Sequence, residues 1–204
     1  MTANQHLRWV AKPAIWFLAL LPVAWLGWSI GQKTLGPNPA ETIDRFLGYW
    51  ALVLLWITLI ITPIRLLTGW VSLYRFRRLL GLFSFFYAVL HLSSYIVINQ
   101  FFDWEAIWED ILKRTYIMLG LAGFFILALL AKTSTANMVK RLGAQNWKRL
   151  HQCVYLAAIL IAIHFIMIRK GFQLEPLIYA GFLFLLLMSR LLLRRKRKVT
   201  SPKS

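Results

Sequence analysis

The 204-residue chain has one cysteine, Cys153, and only seven acidic residues. A lone cysteine excludes a disulfide framework, and the absence of a Cys-x-x-Cys-His run excludes covalent c-type haem attachment. No glycine-rich phosphate loop follows a strand-like run, and the longest polar stretch, 132–149, is too short for a soluble nucleotide-binding domain. No Asp, Glu or Lys lies in the middle of an apolar segment. That argues against an ion- or proton-coupled transporter, which places such groups at mid-membrane. There is no internal repeat, and the basic tail is the one low-complexity run.

What the chain does have is apolar length. Apolar residues make up 59% of it and the mean hydropathy is +0.62. Six stretches stand out, at 14–30, 46–64, 79–98, 116–131, 150–168 and 177–193. A helical crossing takes about 20 residues, with about 17 as the lower bound. The fourth stretch is therefore marginal, and the sixth is long enough only if Arg190 snorkels to the interface. Lipid forbids unsatisfied backbone and nothing alternates like a barrel strand, so all six predict helices. The first ends in Trp25, Gly27 and Trp28 without a small-x-small cleavage site, which predicts a retained helix rather than a signal peptide. Pro22 predicts a kink and Pro63 a stop. The expected fold is all-α integral membrane, a six-helix bundle in a single domain over 1–204 with a basic tail at 194–204.

The net charge of +17 invites a nucleic-acid reading, but its distribution argues for membrane orientation instead. The N-terminal arm, the 65–78 and 132–149 loops and the tail from Arg190 carry 18 Lys and Arg, against 6 in the 31–45, 99–114 and 169–175 loops. All seven acids fall in the second set. Positive-inside logic puts both termini in the cytoplasm. The run Arg194-Arg195-Lys196-Arg197-Lys198 reads as an orientation signal that also touches anionic lipid, or as a dock for an acidic partner. Four acids (Asp103, Glu105, Glu109, Asp110) share the outer 99–114 loop. Either they are simply tolerated there, or they receive the basic patch of a partner.

His91, His151 and His164 are the only ionisable side chains in the six segments, apart from Arg and Lys near an end. Intramembrane ionisable groups point to function, and neutral imidazole is a common metal and haem ligand. His91 lies 12 residues past Leu79 and His164 lies 14 past Leu150, roughly 18 and 21 Å above the inner boundary. The pair is thus level in the outer half, as two axial ligands of one haem must be. His151 sits about 20 Å lower on the fifth helix, a spacing that suits a second site. On an ideal helix it is also turned about 140° from His164, more than two stacked haems in one groove would prefer. The competing reading of all three is interhelical hydrogen bonding. For His151, beside Lys148 and Arg149, it is an interfacial polar residue, and His6 reads as a solvated arm residue. Gly81, Ser84 and Ala88 on the third helix suit the approach of a flat macrocycle or ordinary close packing.

Several runs together carry a family resemblance: Arg77-Arg78-Leu79-Leu80-Gly81-Leu82, His91-Leu92-Ser93-Ser94-Tyr95, Leu142-Gly143 with Trp147, Leu150-His151 and Val154-Tyr155, and Pro176-Leu177-Ile178-Tyr179-Ala180-Gly181. Ile61-Thr62-Pro63 and Thr133-Ser134-Thr135 belong with them. Nearly end to end, the chain resembles the MsrQ (YedZ) family, haem-binding membrane subunits of a bacterial periplasmic methionine sulfoxide reductase system. The resemblance implies an inner-membrane electron conduit of the ferric-reductase-like transmembrane class. Its donor would be a cytosolic flavin reductase or quinol, its carrier b-type haem (with FMN also attributed to the family), and its acceptor a periplasmic molybdopterin enzyme, MsrP. His91, His151 and His164 fall on the family's haem histidines. Related oxidases carry a second histidine on the third helix, 13 or 14 residues before His91, where this chain has Arg78 or Arg77. These arginines suit haem propionates or a flavin phosphate instead. The other readings are a ferric or quinone-linked reductase with another acceptor, and a non-redox small transporter or assembly factor.

Overall fold

The computed structural model describes residues 7–168 and 174–200, without the side chains at 7, 8, 191 and 193–200. His6, residues 169–173 of the 169–175 loop, residues 201–204 and the side chains of the basic run 194–198 lie outside the described residues. The described residues form helices and no strand. In chain order they are α1 (Lys12–Gly31), α2 (Pro39–Thr68), α3 (Arg77–Ser94), α4 (Trp104–Lys113), α5 (Thr115–Lys132), α6 (Ala136–Leu142), α7 (Ala144–Leu150), α8 (Val154–Met167) and α9 (Leu174–Thr200). Short 3-10 turns at Val71–Phe76 and His151–Cys153 lead into α3 and α8, and a π turn at Tyr95–Asn99 ends α3.

Among the described residues, five stretches are long and apolar enough to cross a membrane: Trp9–Gly31, Pro39–Thr68, Val71–Asn99, Thr115–Lys132 and Ala144–Met167. The sixth apolar stretch lies on α9. Arg190 does not snorkel outward from it. Its side chain is buried, bonded to the Tyr155 hydroxyl, with the guanidinium 4.9 Å over the Tyr155 ring. A hydroxyl and an aromatic face replace the water that snorkelling would have reached.

Local chemistry sets the ends of the helices. Pro39 opens α2, and Asn38 caps it by accepting from the Glu41 backbone at 3.4 Å while donating to the Glu41 carboxylate at 2.9 Å. Pro63 does not stop α2, which runs through it to Thr68. The stop is Gly69, at φ 75°, whose N–H returns to the Arg65 carbonyl. α1 runs through Pro22, and the Tyr87 hydroxyl serves the backbone on either side of it. It donates to the Ala19 carbonyl at 2.7 Å and accepts from the Val23 N–H at 3.1 Å.

The bundle is organised around α2. On one side Leu47 and Leu54 pack with Ala19 and Leu26 of α1 and with Phe83 and Tyr87 of α3. On the other, Leu55 and Leu59 pack against Leu127 of α5, Ala157 and Ala158 of α8, and Leu183 of α9. The most extensive pairings are α2 with α3 and α5 with α8. Each of these two pairs carries one of the level histidines. Large apolar side chains such as Phe17, Phe125 and Leu156 are exposed along the spans, as a lipid-facing surface requires. The 99–114 and 132–149 loops contain the helices α4, α6 and α7.

Candidate functional site

His91 on α3 and His164 on α8 face one another, with ring centroids 6.4 Å apart and planes at 67°. The two rings are held in the same way. His91 Nδ1 lies 3.0 Å from the Asp44 backbone carbonyl, and His164 Nδ1 lies 2.7 Å from the Tyr116 carbonyl. A carbonyl oxygen only accepts, so in both rings Nδ1 carries the proton and Nε2 keeps its lone pair.

One helical turn beyond each carbonyl is a glycine against which the ring rests. A Cβ at Gly48 would come within 3.1 Å of His91 Cε1, and one at Gly120 within 2.8 Å of His164 Nδ1. Asp44 adds a charge on one side only, its Oδ1 lying 3.1 Å from His91 Nδ1. None of Asp44, Gly48, Tyr116 and Gly120 stands out as a site residue in the sequence. Their signal is the repeated spacing, a carbonyl followed one turn later by glycine, in the partner helix of each histidine.

His91 and His164 would hold a metal between their rings. Two imidazoles that each bind one metal from opposite sides at about 2 Å have centroids roughly 6 Å apart, close to the 6.4 Å seen here. Among the described residues no cluster of three His, Cys, Asp or Glu side chains could hold a bare ion. Two imidazoles complete the coordination only of a metal whose other positions are already filled, as a haem iron's are.

The remaining three sequence-predicted residues gather elsewhere. His151, Arg77 and Arg78 line a cavity of about 190 Å³ together with Tyr74, Trp147 and Lys148. Trp147 stacks on His151 with centroids 4.0 Å apart, and its indole N–H donates to the Thr133 carbonyl at 2.9 Å. The Thr133 hydroxyl lies 3.2 Å from His151 Nε2. The 3-10 turn at His151–Cys153 also alters the angular relation to His164. Three residues wound at 3.0 rather than 3.6 per turn add about 60°, narrowing the ideal-helix offset from about 140° to about 80°.

Spanning helices that carry histidines between paired hairpins define a class, and residues 47–162 match the family described as ferric reductase like transmembrane component. That match includes His91 and His151 and ends two residues before His164. The protein-methionine-sulfoxide reductase heme-binding subunit MsrQ of Rhodospirillum rubrum is 49% identical, over 95% of this chain and 94% of its own length. The MsrQ subunit of Caulobacter vibrioides is 44% identical over 85% of this chain and 82% of its own length. That of Xanthomonas campestris pv. campestris is 42% identical over 95% and 91%. The chain belongs to the MsrQ family.

Proposed function

We propose that the chain is the electron-transfer subunit of a methionine sulfoxide reductase system in a bacterial inner membrane, with six spanning helices and both termini cytoplasmic. The electron donor is a cytosolic flavin reductase or quinol, and the acceptor is a periplasmic MsrP-type molybdopterin enzyme that repairs oxidised proteins. His91 and His164 would hold between them the b-type haem that serves this transfer. The observation that carries this reading is the matched pair of carbonyl-held imidazoles at 6.4 Å. It is supported by the family name shared with relatives that match almost the whole chain.

A haem iron supplies the one-electron ferric–ferrous exchange. The chain supplies everything that prepares for it. The Asp44 and Tyr116 carbonyls fix both tautomers, and Gly48 and Gly120 give the rings room. The Asp44 carboxylate adds a second polar contact to the Nδ1 side of the His91 ring and so helps to orient it. Toward the basic loops, Arg77, Arg78 and His151 form a second site. Its two guanidinium groups suit the phosphate of FMN or the propionates of a second haem. The flavin reductase docks on the 65–78 and 132–149 loops and the tail.

The test is spectroscopic. Purified protein shows a Soret band with a dithionite-induced b-type shift. His91→Ala and His164→Ala each abolish the same low-spin component, while His151→Ala leaves it in place. Colourless protein from haem-replete cells, or His91 and His164 losses that add in the double variant, would overturn the assignment.

A further inference from the structure

Helix α4 presents three faces. At roughly 100° per residue, its ten side chains sort into arcs around the axis. Ala106, Ile107, Asp110 and Ile111 occupy one arc and turn toward the protein, Ile107 being buried. Trp104, Trp108 and Leu112 occupy a second arc of about 80°. They are large and apolar, yet 64%, 63% and 62% exposed. Glu105, Glu109 and Lys113 fill the third arc, also exposed, with Lys113 paired to Glu109. A solvated surface helix has two faces, one for protein and one for water. The third calls for an apolar neighbour.

Position identifies that neighbour. One span ends at Asn99 and the next begins at Thr115, so α4 is tethered at both ends to the membrane boundary opposite the basic loops. Exposed Phe101 and Phe102 precede it, at φ 47° and 61°, a backbone region that bulky side chains rarely adopt. Phe102 and Trp104 rings lie 6.4 Å apart, extending the apolar arc toward the end of the preceding span. Tryptophan concentrates at bilayer interfaces, and amphipathic helices lie in the interface plane with their apolar arc in the headgroup–acyl boundary.

Asp110 fixes the roll of the helix. Its Oδ2 accepts from the Tyr95 hydroxyl at 3.0 Å and from Gln100 Nε2 at 2.7 Å, and its Oδ1 lies 3.0 Å from Arg114 Nε. Tyr95 follows α3 and Arg114 precedes α5, so one carboxylate clasps α4 to both neighbouring spans.

We propose that α4 is an interfacial helix at a three-way boundary. Trp104, Trp108 and Leu112 lie in lipid, Glu105 and Glu109 in water, and Asp110 sets the rotation that keeps them there. The test uses the full chain with Cys153→Ser, reconstituted in phosphatidylcholine–phosphatidylglycerol nanodiscs. Single cysteines at 104, 105, 108, 109 and 112 carry a bimane fluorophore, quenched in turn by aqueous iodide and by nitroxide-labelled lipid. The ratio of lipid to iodide quenching is several-fold higher at 104, 108 and 112 than at 105 and 109. Should Trp108→Cys fail to insert, Leu112→Cys reads the same arc. Adding Asp110→Ala collapses the contrast between 108 and 109. Equal ratios at all positions would overturn the proposal. So would protection of 108 from both quenchers, the result expected of a protein-covered face. A contrast that survives Asp110→Ala would overturn the role of the clasp.

Discussion

The His164 imidazole lies against the backbone of Gly120, where a methyl group would come within 2.8 Å of Nδ1 and 2.9 Å of Cε1. The ring cannot retreat without leaving the Tyr116 carbonyl, its partner at 2.7 Å. Gly120→Ala therefore forces a choice between a steric clash and a lost hydrogen bond, and overpacking of this kind costs about 1–3 kcal/mol. The variant is expected to purify with much less haem per chain and a disturbed low-spin spectrum. Gly48→Ala is milder, since its Cβ meets His91 at 3.1 Å, and retains most of its haem. Haem-to-protein ratios of the two variants measure the order, and the reverse order would contradict it.

Tyr87 and Pro22 give a prediction about stability. Tyr87→Phe removes the hydroxyl that satisfies the Ala19 carbonyl and the Val23 N–H. Leaving a buried polar group unsatisfied costs about 1–3 kcal/mol. The Pro22 ring lacks an N–H and crowds the preceding turn, so Pro22→Ala should let that turn of α1 bond itself more closely and make the Tyr87 substitution cheaper. A double-mutant cycle on unfolding free energy should return a coupling of about 1 kcal/mol or more. Additive losses would mean that the role of the hydroxyl is independent of Pro22.

Much of this was legible from residue type and spacing. Apolar runs located the five candidate spans because a bilayer demands length and allows little else. Counting residues from the inner boundary put His91 and His164 at one level, and their rings do face each other. What periodicity could not reveal was backbone chemistry. The Asp44 and Tyr116 carbonyls are identical to every other carbonyl in the chain and become site groups only through their neighbours. Pro63 illustrates the limit from the other direction. A proline inside a packed membrane helix is tolerated because neighbouring structure re-satisfies the backbone, so the stop fell to Gly69. Arg190 reads as a snorkelling residue until Tyr155, distant in sequence, is seen beside it.

Without a nucleotide-binding domain in the 204 residues, the purified chain should not oxidise NADH. Reduction of its haem is expected to begin only when a flavin reductase is added. It should slow with salt, because the docking loops are basic and exposed charges are screened beyond about 8–10 Å at physiological ionic strength. Stopped-flow absorbance at the Soret maximum checks both points. Rapid reduction by NADH alone would contradict the proposed division of labour.

The four acids of the 99–114 loop are not equivalent. Asp103 caps α4 by accepting from the Ala106 N–H at 3.0 Å, and Asp110 is committed to Tyr95, Gln100 and Arg114. Glu105 and Glu109 remain exposed, and Glu109 is partly neutralised by Lys113. If this face receives a partner with a basic patch, Glu105→Gln should slow electron delivery more than Glu109→Gln. Lys113→Gln, which exposes the Glu109 charge, should speed it. Steering raises on-rates by roughly 10- to 1,000-fold through many charges together, so a single charge is expected to change the rate severalfold at low ionic strength and little at high. The haem spectrum should stay unchanged throughout, since none of the three side chains touches a histidine contact. Partner reduction rates measured across a salt series decide the matter. A Lys113→Gln rate equal to or below that of the unaltered chain would leave the acids with no docking role, present only because this side of the membrane tolerates them.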